Sequence, residues 1–88
     1  MIVKIDRSLE KDVRKIKDNL LKQNLSEIIN LIRNAKTRTE IRNLKKLKGS
    51  HNFYRIKLGD YRLGIIINGE EVEFVRLLHR KDIYKYFP

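Results

Sequence analysis

The chain has 88 residues, no cysteine, 41% hydrophobic residues, and 21 Lys plus Arg against 11 Asp plus Glu. That length suits one domain, residues 1–88, with a single modest core. The lack of cysteine excludes disulfides and thiolate metal sites and agrees with a reducing, cytoplasmic setting. No apolar run approaches the ~20 residues of a membrane helix, and Lys4 interrupts the opening apolar stretch, so neither a span nor a signal peptide is expected. The formal charge of +10 points to a polyanionic partner, nucleic acid first. A merely lysine-rich, solvated surface is the bland alternative.

Met1 to Ile5 is short, apolar and β-branched and reads as a strand. Asp6 or Ser8 can cap the helix after it, because short polar side chains accept bonds from free helix N–H groups. Leu9, Val13, Ile16 and Leu20 recur at helical spacing. Asn24 and Glu27 have the spacing of a capping box, which predicts a break at Gln23-Asn24. A second helix then carries Leu25, Ile28, Ile29 and Ile32. From Arg33 to Lys48 the chain has seven Lys or Arg and only Glu40 against them. Ile41, Leu44 and Leu47 suggest a short helical turn there, in a segment that is either a solvated connector or an RNA-facing surface.

After Gly49 the period becomes strand-like. Strands are expected at Phe53 to Leu58, Tyr61 to Ile67 and Glu70 or Glu71 to Leu78, joined by Gly59-Asp60 and Asn68-Gly69 turns. A strand, a helical hairpin and a three-stranded antiparallel meander make an α+β fold, with the helices packed on one face of the sheet.

Alternation sends Tyr54, Ile56 and Leu58 toward the helices and Arg55 and Lys57 to the other face. A two-residue turn at Gly59-Asp60 sets Lys57 directly opposite Arg62. Like charges opposite each other are destabilising, so a sheet built only for stability would seldom choose them. An anion lying between them would relieve the repulsion, and Arg55, Lys57 and Arg62 become a candidate phosphate site. Strict alternation from the second turn puts His79, not Arg80, on the face of Lys57; a bulge or the end of the strand would change that. Tyr84 could stack on a base. The two histidines make no zinc motif, no glycine-rich phosphate loop precedes a helix, and the carboxylates show no acid–base pairing. No metal or cofactor is expected.

Two segments also resemble the RelE/ParE superfamily, the toxins of type II toxin–antitoxin pairs. LKKLKGSHNFYRIKLGDYRLGIII is similar to that family's leucine–lysine–glycine run, basic strand and G-[DN]-Y-R-[LV] hairpin. VEFVRLLHRKDIY is similar to its closing strand and H-R-x-x-[VI]-Y signature. The resemblance implies a RelE-like fold and a ribosome-dependent endoribonuclease that cuts mRNA in the A site by attack of the ribose 2′-OH. It implies catalytic roles for Lys57, Arg62, Arg80 and Tyr84, with Arg80 supporting protonation of the leaving group. Arg55, His79 and Lys81 would bind substrate. An acidic antitoxin would be the protein partner, covering the basic face or displacing a C-terminal element; no membrane or small-molecule cofactor is implied. A ParE-like gyrase inhibitor and an inactive RNA- or antitoxin-binding domain share the same resemblance. Two positions depart from the pattern: Leu78 stands where glycine is frequent, and Gly64 stands where a larger residue is common, leaving room beside the site.

Overall fold

A computed structural model describes residues 1–88. Strand β1 (Ile2–Ile5) leads into helices α1 (Arg7–Arg14) and α2 (Asn19–Asn34), then a single 3₁₀ turn at Arg38–Glu40. Strands β2 (Leu44–Lys46), β3 (Phe53–Leu58), β4 (Tyr61–Asn68) and β5 (Glu71–His79) follow, and helix α3 (Arg80–Tyr86) closes the chain. The strands form one sheet in the order β1-β5-β4-β3-β2, antiparallel except for the β1–β5 pair. This is the expected α+β layout, with one strand and one helix more than the sequence indicated.

Asp6 caps α1 by accepting the Ser8 N–H at 3.0 Å. The break between the helices comes at residues 15–18, earlier than the Gln23-Asn24 position expected. Asp18 supplies the second cap, accepting from Leu20 N and Leu21 N at 3.0 and 3.2 Å. Starting α2 there aligns Leu21, Leu25 and Ile32 on one buried stripe. Each helical residue turns about 100°, so Leu20 points away from that stripe and is 65% exposed. The α-amino group of Met1 satisfies the other end of α2, donating to the carbonyls of Ile32, Arg33 and Ala35.

The main core is a cluster of 15 buried residues between these helices and one sheet face. Leu9, Ile16, Leu21, Leu25 and Ile32 meet Tyr54, Ile56, Leu58, Leu63, Ile65, Ile67, Val72, Phe74 and Leu77. Tyr54, Ile56 and Leu58 therefore face the helices, as alternation required. On the opposite sheet face a smaller cluster gathers Leu47, Ile83 and Phe87 against Phe53, Ile66, Val75 and Leu78. No helix is long and apolar enough to cross a membrane.

The expected helical turn around Ile41, Leu44 and Leu47 is instead a loop and a strand. Leu44 pairs with Ile56 and Lys46 with Tyr54, so β2 borders β3 at the sheet edge. The second hairpin also turns one residue later than expected: Asn68 pairs with Glu71, leaving Gly69 and Glu70 in the turn. Gly69 has φ +58° there and Gly59 has φ +57° in the first turn, a region where a Cβ is strained.

A β-bulge decides the geometry of the closing strand. Ile65 pairs with Phe74 but Gly64 pairs with Arg76, so Val75 is an extra residue on β5. Two side chains of α1, four residues apart and hence on one helix face, hold it. The Ser8 hydroxyl, shared with the Asp6 carboxylate, lies 2.6 Å from the Val75 carbonyl. The buried Asp12 carboxylate accepts the Leu77 N–H at 2.9 Å and two bonds from the Arg76 guanidinium at 2.8 and 3.0 Å. Donating these bonds to Asp12 makes Arg76 hold its proton more firmly than an ordinary arginine.

Candidate functional site

The β3–β4 register sets Lys57 directly opposite Arg62, as the two-residue turn predicts. The new strand β2 adds a second opposition of like charge, Lys45 against Arg55. These four cations, with Asn43, Leu44 and Tyr84, line a cleft of about 380 Å³ that contains no carboxylate. The molecule has ion pairs at Lys4–Glu71 and Arg76–Asp12, and neither involves a cation of the cleft. Two cross-strand pairs of like charge, both without counterions, weaken the sheet locally. They also generate a positive potential in a concave site, where low-dielectric walls focus it on an incoming anion.

The cleft side chains differ in how firmly they are held. Arg62 folds back so that its Nη1 donates to the carbonyls of Gly59 and Tyr61, both at 2.9 Å. The turn thus orients the guanidinium before any ligand arrives. Arg55 is half-buried, and its guanidinium carbon lies 4.4 Å from the centre of the Tyr84 ring. Its Nε is buried without a hydrogen-bond partner. Stacking on an aromatic face compensates part of that lost hydration and leaves the Nη end of the guanidinium to bind. Lys57 and Lys45 are exposed.

The structure therefore brings Arg55, Lys57, Arg62 and Tyr84 together. Lys45 and Asn43 were missed because their segment was read as helical. The signal that could have found them is the pair Lys45-Lys46 flanked by Leu44 and Leu47, a short edge strand written in lysines.

Three other expected residues lie elsewhere. The bulge reverses the parity of β5 beyond Val75, so Leu78 pairs with Arg62 and His79 pairs with Tyr61. His79 makes an edge-on contact with the Tyr61 ring at 5.7 Å between centroids. Its Nδ1 accepts the Lys81 N–H at 3.1 Å and caps α3. The expectation that His79 shares the face of Lys57 is corrected by these contacts. Arg80 opens α3; its backbone N–H donates to the Asp60 carbonyl at 2.8 Å while its side chain is exposed and does not line the cleft. Lys81 is likewise exposed on the first turn of α3, outside the cleft. The strand ends too soon for the bulge to carry Arg80 into the site.

The space expected beside Gly64 exists but is filled: the Phe87 ring occupies it, with ring atoms 2.7–2.9 Å from where a Cβ would stand. No three His, Asp or Glu side chains gather where they could hold a metal ion.

Residues 3–84 match the family described as the ParE toxin of the type II toxin–antitoxin system parDE. The chain is 39% identical over 89 residues to Toxin RelE3 of Methanocaldococcus jannaschii, and the alignment covers 100% of both chains. Its fold superposes with a TM-score of 0.83 on a chain of the RelB–RelE antitoxin–toxin complex of Methanococcus jannaschii, at 36% identity, covering 97% of this chain and 99% of the other. A chain of the archaeal RelE–RelB complex of Pyrococcus horikoshii OT3 shares the fold at a TM-score of 0.72 and 23% identity, covering 90% and 93%.

Proposed function

The chain belongs to the RelE/ParE superfamily of type II toxin–antitoxin toxins, and from that premise we propose that it is a RelE-type endoribonuclease that cuts mRNA in the ribosomal A site. The observation that carries this reading is the cleft in which Lys45, Arg55, Lys57 and Arg62 converge with no carboxylate. An acidic protein partner can be met by cations spread over an open surface, whereas two opposed pairs of like charge inside a concave site suit a small, concentrated anion such as a phosphate. A phosphodiester passing through a pentacoordinate state gains a great deal, because preorganised cations meet the charge that develops there.

In this reaction the ribose 2′-hydroxyl gives its proton to solvent water and its oxygen attacks the neighbouring phosphorus. The new O2′–P bond forms as the P–O5′ bond breaks, leaving a 2′,3′-cyclic phosphate and a 5′-hydroxyl. Arg62, already oriented by Gly59 and Tyr61, and Lys57 opposite it stabilise the equatorial oxygens. Arg55 binds the phosphate, and Tyr84, already stacked on Arg55, orients the adjoining nucleotide. With Arg80 outside the cleft, Lys57 is the hairpin group able to give a proton to the departing oxygen. Arg80 and Lys81 then serve as contacts to more distant phosphates of mRNA or ribosomal RNA. The toxin acts as one domain in the cytoplasm, where ribosomes are. An acidic antitoxin restrains it, in keeping with the RelB–RelE complex on which its fold superposes.

The test is to map mRNA ends on translating ribosomes with and without the purified protein. Codon-phased cuts are expected, and Lys57→Ala or Arg62→Ala should each reduce cutting by about 10²-fold or more with the circular dichroism spectrum unchanged. The matching family is described as a ParE toxin, and the rival reading is a ParE-like inhibitor of DNA gyrase. Absence of phased cuts together with arrested supercoiling would establish that rival instead.

A further inference from the structure

Helix α3 is seven residues long, far too short to hold itself together in water. It remains helical only by docking, and its docking surface is small. Ile83 within it and Phe87 just after it are the buried side chains of this segment, at 0% and 3% exposure. Tyr84, next to Ile83, is 68% exposed, and its ring contact is the Arg55 guanidinium. The position of Tyr84 over Arg55 is therefore inherited from whatever anchors the end of α3.

That anchor is unusually exacting. The Phe87 ring sits on bare backbone at Gly64, where any Cβ would stand 2.7–2.9 Å from the near atoms of the ring. Those atoms are the stem side of a rigid ring, so they can move only if the end of α3 moves with them. Phe53 meets the ring from β3 with 5.6 Å between centroids, and Leu47 and Ile83 complete the cluster. Gly64 lies between Arg62 and Ile66 on the cleft face of β4 and opposite Arg55 on β3. The anchor and the cleft are thus adjacent on one sheet face. Phe87 belongs to the smaller cluster and not to the main core, so loosening it need not unfold the sheet.

We propose that Phe87, seated against Gly64, is a positioning residue that holds Tyr84 over Arg55 and so sets the geometry of the cleft. The role in turnover rests on the ribonuclease reading above; the role in holding Tyr84 does not. Two substitutions of opposite sense address it: Phe87→Ala empties the seat, and Gly64→Ala fills it.

The first measurement is independent of activity. In the full-length protein the buried Arg55 Nε–H should give a protected NMR cross-peak, sharp in the wild type and exchange-broadened in both variants. Amide peaks of the main core, such as Phe74, should stay in place. The second measurement is cutting of mRNA on ribosomes. Each variant should lose roughly tenfold to a hundredfold in kcat, the range expected for misplacing a reacting group, with KM changed by much less. Phe87→Ala should add little to the loss already caused by Tyr84→Ala, because both act through one contact. Gly64→Ala combined with Phe87→Leu should recover part of what Gly64→Ala loses, since the slimmer side chain vacates the space the methyl needs. An unchanged Arg55 signal in Phe87→Ala, fully additive losses with Tyr84→Ala, or no mutual rescue at positions 64 and 87 would each overturn the proposal. A wild-type protein that cuts no mRNA but shows the expected Arg55 behaviour would overturn the ribonuclease reading and leave the anchor standing.

Discussion

Replacing Asp12 by Ala removes the clamp on the β5 bulge, and the structure sets the size of the effect. Asp12 is 6% exposed and accepts three bonds: two from Arg76 and one from the Leu77 N–H. The Arg76 side chain is 25% exposed, so once released it can turn toward water. Its share is that of a screened ion pair, about 0.2–1 kcal/mol. The Leu77 N–H has no such escape, because Leu77 is 1% exposed. A buried N–H left without a partner costs about 1–3 kcal/mol. The sum is about 1–4 kcal/mol, or a fall in Tm of roughly 10–20 °C at its middle for a domain of this size. Asp12→Asn separates the two parts. The amide oxygen can still accept the Leu77 N–H while the charge is gone, so that variant should lose only about 1 kcal/mol. Urea unfolding followed by circular dichroism measures both. Equal losses in the two variants would mean that the Leu77 N–H is not what Asp12 protects, and the account of the bulge would be wrong.

Three further outcomes are expected. Lys57→Gln should raise stability while abolishing most cutting, because it relieves the opposition to Arg62; the gain is about 0.2–1 kcal/mol, read as a higher Tm, and a lower Tm would contradict it. Binding of a short single-stranded RNA should weaken with salt, and each of Arg55→Ala, Lys57→Ala and Arg62→Ala should flatten the slope of log K against log salt by about 0.7; a slope unchanged by all three would remove them from the phosphate site. Backbone N–H groups of Lys36 and Thr37 hold the Glu40 carboxyl below its ordinary 4.5. A depressed folded pKa adds stability that is present above the unfolded value and lost as pH falls through the folded one. The Tm difference between wild type and Glu40→Gln should therefore be constant near neutrality and shrink once the pH drops below about 4.5; a gap that widened on acidification would reverse the assignment.

The sequence by itself determined what short-range chemistry controls. Gly59-Asp60 closes a two-residue turn between neighbours in the chain, so the opposition of Lys57 and Arg62 follows from local backbone geometry alone. The period-two burial of Tyr54, Ile56 and Leu58 is equally local. The family resemblance rested on the segment that holds this hairpin and on the closing segment from Val72 to Tyr84. The helix break was misplaced because Asn24–Glu27 and Asp18 both offer caps. The choice between them depends on which start turns Leu21, Leu25 and Ile32 toward the sheet, and that requires the sheet to be present.

What the tertiary structure alone decided lies where distant segments meet. Ile41, Leu44 and Leu47 have helical spacing, yet Leu44–Lys46 is a strand because β3 offers it an edge to pair with; this brings Lys45 into the cleft. The bulge at Val75 is held by Ser8 and Asp12, side chains more than 60 positions away in sequence. No local pattern announces it, yet it turns His79 away from Lys57, puts Leu78 opposite Arg62, and leaves Arg80 at the start of a helix outside the cleft. Gly64 could be read as room beside the site, but only the packed molecule shows that Phe87 fills it. Alternation along a strand is a local rule, and a single inserted residue, stabilised from another layer of the fold, reverses it for everything that follows.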